Sequence, residues 1–156
     1  MAVLPIVQYP DDRLRAVCAP VGAVDDALRA LAADMLETMY AAPGRGLAAP
    51  QVGVLRRLFV MDVGWREGAP DPLICIDPEI ADPSPETVTR SEGCLSIPGR
   101  PVDVTRPAAV TLRWTGLDGM RHDRRLTGDA AMAAQHEADH LDGRLIVDAA
   151  PPPPAP

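Results

Sequence analysis

The sequence predicts an α+β fold in which an N-terminal helix and short, mostly antiparallel strands form small sheets around a C-terminal helix. Three observations carry this. Apolar residues recur at three- and four-residue steps over 25–42, Pro and Gly break the middle into short strand-like runs, and a second helical stretch ends at Gly143. A helix, a run of strands and a helix is the order of an α+β domain, not of a parallel doubly wound sheet.

Leu28, Leu31, Ala32, Met35, Leu36 and Met39 give the first helix one apolar face. Asp25 or Asp26 can cap its start, and Pro43-Gly44 stops it. Its methionines are therefore read as packing. Strand candidates follow at 55–63, 73–80, 86–90, 101–105 and 108–114, separated by Gly64, Asp71-Pro72, Pro83, Pro98-Gly99 and Pro107. Leu117-Asp118-Gly119-Met120 reads as a hairpin turn into a further strand near 121–126. The second helix is expected from Thr127 or Asp129 to Asp142, with Gly143 at the position past its end where a positive φ is needed.

The chain has 156 residues, the length of one domain that can bury a core. One folded domain is expected over 1–148, followed by a Pro-rich, disordered tail over 149–156. Net charge is −7, which disfavours broad binding to nucleic acid, although Arg121, Arg124 and Arg125 could form a local patch. All fifteen basic residues are arginine. No apolar run approaches the roughly 18 residues of a membrane span. The first residues lack the pattern of a signal or transit peptide. A cytoplasmic protein is expected, and its three cysteines, Cys18, Cys75 and Cys94, are expected as free thiols.

The strongest chemical signal is His136-Glu137-Ala138-Asp139-His140. On a helix the two histidines lie on one face, a turn apart, and can converge on one ion. Glu137 is turned by about 100° from His136, beside that ion, where it can handle protons without ligating. Two surface histidines and a solvated Glu would look the same. Two of the chain's three histidines fall in this motif, and His122 sits in a charged, turn-like stretch read as surface. A third ligand must come from upstream, because few residues follow His140 and these end in the Pro-rich run. Cys94, in Glu92-Gly93-Cys94-Leu95-Ser96, is the candidate, and a small buried hydrophobe is the alternative. Cys75 and Cys18 fit that alternative better. A Gly-rich stretch, Gly44-Arg45-Gly46-Leu47-Ala48-Ala49-Pro50-Gln51-Val52-Gly53, allows close backbone approach to a ligand or simply connects a helix to a strand. It is not a phosphate loop, since GxxxxGK[ST] is absent.

These three elements, in this order, resemble the peptide deformylases, whose marks are GxGLAAPQxG, EGCLS and QHExDHLxG. The third reads Gln135-His136-Glu137-Ala138-Asp139-His140-Leu141-Asp142-Gly143 here. The opening, Leu4-Pro5-Ile6-Val7 with Pro10 and Leu14-Arg15, is also similar, so the resemblance spans about 1–148. It implies a metal-dependent amidohydrolase that removes the N-formyl group from the formylmethionine of nascent polypeptides and releases formate. Cys94, His136 and His140 would hold one divalent metal, Fe²⁺ in the cell and Zn²⁺ or Ni²⁺ in purified protein. Metal-bound water would attack the formyl carbon with Glu137 as general base and acid, and Gln51 with the Leu95 N–H would hold the oxyanion. Gly44, Arg45, Gly46, Asp129, Met132 and Ala133 would bind the substrate, with Gly46 meeting its backbone as one strand meets another. Glu92 and Asp139 are candidates to orient the histidines, and Asp139 could instead pair with Arg106. The implied partner is a formylated peptide or nascent chain, with no direct contact to nucleic acid or membrane. The sequence leaves ribosome association open.

Two positions depart from the family pattern. Arg45 stands where relatives commonly carry a small apolar or β-branched residue, and Asp129 where they commonly carry an apolar one. Either the two form an ion pair at the pocket, or Asp129 caps the helix and Arg45 faces solvent. A pair would leave room for a paralogue acting on a different formylated or acylated amine. A non-catalytic metal-binding homologue is disfavoured by the retained Cys94, Gln51, Glu137 and both histidines.

Overall fold

The computed structural model describes residues 2–150, so most of the Pro-rich run, 151–156, lies outside the described residues. Helix α1 spans Asp26–Ala41 and helix α2 Gly128–Leu141. Strands β1 (Gly46–Ala48), β2 (Leu58–Met61), β3 (Leu73–Ala81), β6 (Ala109–Thr115) and β7 (Arg121–Thr127) form one antiparallel sheet in the order β1-β2-β3-β6-β7. Strands β4 (Thr87–Cys94) and β5 (Ile97–Pro107) form a separate antiparallel hairpin.

The large sheet is buried on both faces at its β1–β2 end. Leu47, Leu58, Val60 and Ile76 meet Leu28, Met35 and Met39 of α1. Their alternates Ala48, Phe59, Met61 and Cys75 meet Ala131, Met132, Ala134 and Leu141 of α2. Strand β2 is accordingly an unbroken apolar run, Leu-Phe-Val-Met, buried at every position. The sheet is thus a septum between the two helices, and α2 reaches the site from the side opposite α1. A third cluster, including Val7, Leu14, Val102, Val104 and Ile146, ties the N-terminal segment and the Ile146–Ala149 turn to the β4–β5 hairpin.

Helix α1 begins as expected: the Asp25 carboxylate accepts the Leu28 N–H at 2.8 Å. Gly143 closes α2 at φ 72°, and Gly119 makes the hairpin turn at φ 76°. Two elements differ from expectation. Strand β1 lies inside the stretch read as a connecting loop. The β4–β5 hairpin is longer than expected, because β5 runs through Pro98, Pro101 and Pro107. In a two-stranded sheet each strand has a free outer edge, where a proline without N–H breaks no ladder bond.

Candidate metal centre and cleft

Cys94 lies at the tip of β4, where the ladder shifts register between Glu92 and Cys94. That irregularity turns the thiol toward α2. One donor atom each from Cys94, His136 and His140 falls within 4.8 Å of the others, and the Cys94 Sγ lies 3.4 Å from His140 Nε2. His140 is buried at 1% exposure, while Cys94 and His136 are half-buried at the floor of the cleft.

The tautomer of His136 is set by Glu92. Nδ1 donates to Glu92 Oε1 at 2.9 Å, which leaves the Nε2 lone pair for a ligand. Glu92 is held in turn by Arg106, whose Nε and Nη2 donate to its two oxygens at 2.7 and 2.9 Å. Asp139 accepts from Arg106 Nη1 at 2.8 Å, so it supports the imidazole through Arg106 and Glu92 instead of meeting a ring nitrogen. Burial would push Glu92 up, but its hydrogen bonds from His136 and Arg106 prevail and hold it at about 2.

The charge balance of this floor favours a cation. Burial pushes His140 down to about 3, with repulsion from His136 and Arg106 adding to it, so the imidazole is neutral and ready to ligate. At His136 burial also opposes charge, yet the Glu137 field and the hydrogen bonds to Cys94 and Glu92 outweigh it and raise the group to about 10. The pull of the surrounding anions falls on a proton when no ion is bound. His140 Nδ1 and Glu137 Oε1 are buried with no hydrogen-bond partner in the protein. One cysteine sulfur and two imidazoles with these orphaned atoms beside them make a donor set suited to a borderline divalent metal with an open position.

Glu137 is 5% exposed, and burial pushes its carboxyl up to about 7 against the pull of His136 and Arg106. It sits directly beneath Gly46, where any Cβ would collide with its carboxylate. Gly44 is confined likewise, since a Cβ there would lie 2.7 Å from Leu95 Cδ1. The Gln51 side chain is fixed at both ends. Its oxygen accepts the Ala48 N–H at 2.9 Å, and its nitrogen donates to Ser96 Oγ at 3.0 Å and faces the Cys94 sulfur at 3.6 Å. Buried Ser96 thus positions Gln51, a role nothing in the sequence pattern singles out.

These groups open into a cleft of about 540 Å³. All six residues read from the sequence as substrate-binding line it: Gly44, Arg45, Gly46, Asp129, Met132 and Ala133. So do Gln51, Cys94, Leu95, His136 and Glu137. Strand β1 is an edge of the sheet. The Asp62 N–H donates to the Arg45 carbonyl, so alternation turns the Gly46 N–H and C=O outward to the free edge.

The ion pair between Arg45 and Asp129 is not formed. Arg45 pairs with Glu67, and Asp129 with Arg90 at 2.5 Å. Nor does Asp129 cap the helix: Thr127 occupies that position, and Asp129 lies in the first turn, where the helix dipole favours it. The residues missed are the partners. Arg90 is brought to α2 by the length of β4, and Glu67 by a 3₁₀ turn, Trp65–Glu67, that the sequence does not announce. Cys18 and Cys75 are buried, and His122 is a surface group paired with Asp118.

Residues 3–154 match the family described as Polypeptide deformylase. The peptide deformylase of Rhizorhabdus wittichii is 50% identical over 153 residues, covering 95% of this chain and 86% of that protein. That of Alkalilimnicola ehrlichii is 53% identical over 148 residues, covering 95% and 82%. Among solved structures, the Thermotoga maritima peptide deformylase superposes with a TM-score of 0.91 at 40% identity, covering 97% of this chain and all of that one. A Synechococcus elongatus peptide deformylase in complex with actinonin gives 0.91 at 38%, covering 97% and 82%.

Proposed function

The chain belongs to the peptide deformylase family and is a metal-dependent hydrolase, and on that premise we propose that it removes the formyl group from N-formylmethionyl peptides and nascent chains, releasing formate. The observation that carries this reading is the convergence of Cys94, His136 and His140 beside Glu137 and Gln51, under the free edge of β1.

Cys94, His136 and His140 would hold one divalent ion, Fe²⁺ in the cell, which supplies Lewis acidity and acidifies water at the site. The remaining work belongs to the chain. Gly46 aligns the substrate backbone through its outward N–H and C=O, as an added strand would be aligned. Met132 and Ala133 give the first side chain an apolar contact. Gln51 Nε2, with the Leu95 N–H, donates to the formyl oxygen as negative charge grows there. Gln51 is suited to this because its oxygen is already committed to Ala48 and its orientation is set before substrate arrives. Glu137 accepts a proton from the attacking water at a carboxylate oxygen and delivers it to the departing amine nitrogen. Burial favours its protonated form and a cation at the neighbouring ligands favours its ionised form, so it can serve in both directions.

The charged pair at Asp129 and Arg90 bears on which side chains the cleft accepts and leaves the reacting groups untouched. Among the described residues no helix is long and apolar enough to cross a membrane. We place the protein in the cytoplasm, where nascent chains emerge. The test is formate release from formyl-Met-Ala-Ser by protein reconstituted anaerobically with Fe²⁺ and separately with Ni²⁺. Turnover that a chelator abolishes and added metal restores is expected. Metal-loaded protein that releases no formate would overturn the reading.

A further inference from the structure

Four arginines line the cleft: Arg45 and Arg66 from the β1 side, Arg90 and Arg100 from the β4–β5 side. Two are neutralised. Arg45 pairs with Glu67 and Arg90 with Asp129, which also spends the acidic groups of the rim. The other carboxylates lining the cleft, Glu92 and Glu137, belong to its floor. Arg66 and Arg100 are exposed, and neither has a carboxylate partner among the described residues. Each rides on anchored backbone. The turn bearing Arg66 is pinned by Trp65 Nε1 donating to the Gly44 carbonyl at 2.8 Å and by the Asp71 N–H donating to buried Asp62 at 2.9 Å. Arg100 follows Gly99, which takes φ 71° where the chain bulges from the β4–β5 ladder.

A chain carrying a net −7 therefore presents two unspent guanidinium groups at the mouth of its cleft. At physiological salt the field of the distant acidic surface is screened within about 8 Å, so a bound peptide responds to the nearby rim. With the formylated residue over the metal ligands and its side chain against Met132 and Ala133, the residues after it must leave through that mouth. Resting on the deformylase reading, we infer that Arg66 and Arg100 are specificity-determining residues that select formyl peptides with acidic side chains just beyond the first two residues. Selection acts in binding, through charge-assisted hydrogen bonds to carboxylates, and leaves the reacting groups as they are.

The test compares kcat/KM of the metal-loaded enzyme for three C-terminally amidated peptides, formyl-Met-Ala-Glu-Glu, formyl-Met-Ala-Ser-Ser and formyl-Met-Ala-Lys-Lys. Amidation removes the terminal carboxylate, which would otherwise supply an anion in every case. The Glu peptide is expected to exceed the Lys peptide by about tenfold, through KM, with the Ser peptide between them. Added salt should compress the ratio. Arg66→Gln/Arg100→Gln should bring it within about twofold of unity, and Arg66→Glu/Arg100→Glu should invert it. A ratio near one in the unmodified enzyme, or one that the double variants leave unchanged, would overturn the inference. Absence of formate from all three peptides would sink the deformylase reading and this selectivity with it. Hydrolysis of all three at equal rates would sink the selectivity alone.

Discussion

Arg106 grips Glu92 with two parallel hydrogen bonds, at 2.7 and 2.9 Å, and Glu92 holds the Nδ1 of His136 at 2.9 Å. Both side chains of the ion pair are about nine-tenths buried, at 8% and 10% exposure. A candidate metal ligand on α2, His136, is thereby oriented by a carboxylate on β4 that is itself fixed from β5. The hairpin supplies Cys94 and also determines how the helix presents its first imidazole.

Arg106→Met should expose this coupling. It strands a buried carboxylate, which costs about 3 kcal/mol or more. It also loosens His136, for an expected loss of about 10- to 100-fold in metal affinity. Thermal unfolding of the metal-free protein and competition with a chromophoric chelator measure the two effects separately. Unchanged metal affinity in a destabilised variant would confine Arg106 to a structural role.

Gly46→Ala tests the close approach between β1 and α2. The added methyl must displace the Glu137 carboxylate, because no Cβ fits above it. We expect kcat to fall about 10-fold or more while metal content stays full, since the ligands do not touch Gly46. An alanine variant with unchanged kcat would show that Glu137 can move aside without loss.

Asp129→Leu tests the departure from the family pattern at the cleft. Asp129 is 74% exposed, so its pair with Arg90 contributes little stability, below about 1 kcal/mol. Leucine adds apolar surface next to Met132 and Ala133. KM for a formylmethionyl peptide should fall about two- to fivefold, with kcat little changed. A rise in KM would mean that the Asp129–Arg90 pair itself shapes a productive pocket.

How much of this was legible follows from where each residue lies. The two histidines could be read directly, since a four-residue spacing on a helix defines a face. The apolar pattern of α1 and the turn at Gly119 were local for the same reason. Cys94 was legible only as a candidate beside the buried-hydrophobe alternative, because its nearness to α2 depends on how the β4–β5 hairpin folds back, and the family motif decided between the two. Neither the Arg45–Asp129 pair nor the Asp129 helix cap is formed. Arg90 reaches α2 from β4, and Glu67 reaches Arg45 from a turn with no sequence signature. Long-range ion pairs depend on tertiary position, which no periodicity encodes. The β5 prolines misled in another way: they mark breaks in a central strand, and here they sit in a strand with one free edge.

Asp148 gives a pH dependence with a defined sign. Its hydrogen bond from Arg15 Nη1, with a lesser one from the Leu145 N–H, holds its carboxyl below the ordinary value. A depressed carboxylate stabilises the fold fully above its unfolded pKa, and the contribution disappears as pH falls through the folded one. Both side chains are over two-fifths exposed, so the contribution after solvent screening is about 0.5 kcal/mol. Asp148→Asn should therefore lower the unfolding temperature slightly at pH 7, and the difference should shrink as the pH falls below the ordinary carboxylate range. A difference that stays constant across that range would assign the effect to packing of the Ile146–Ala149 turn.

The proton-carrying role of Glu137 is measured by Glu137→Gln, assayed for formate release from formyl-Met-Ala-Ser beside the unmodified enzyme, with metal content determined in both. The substitution keeps size and shape and removes the ability to carry a proton. Full metal content and a kcat lower by about 10²-fold or more are expected. Full metal content with undiminished kcat would contradict it, because Glu137 would then not be the group that moves the proton.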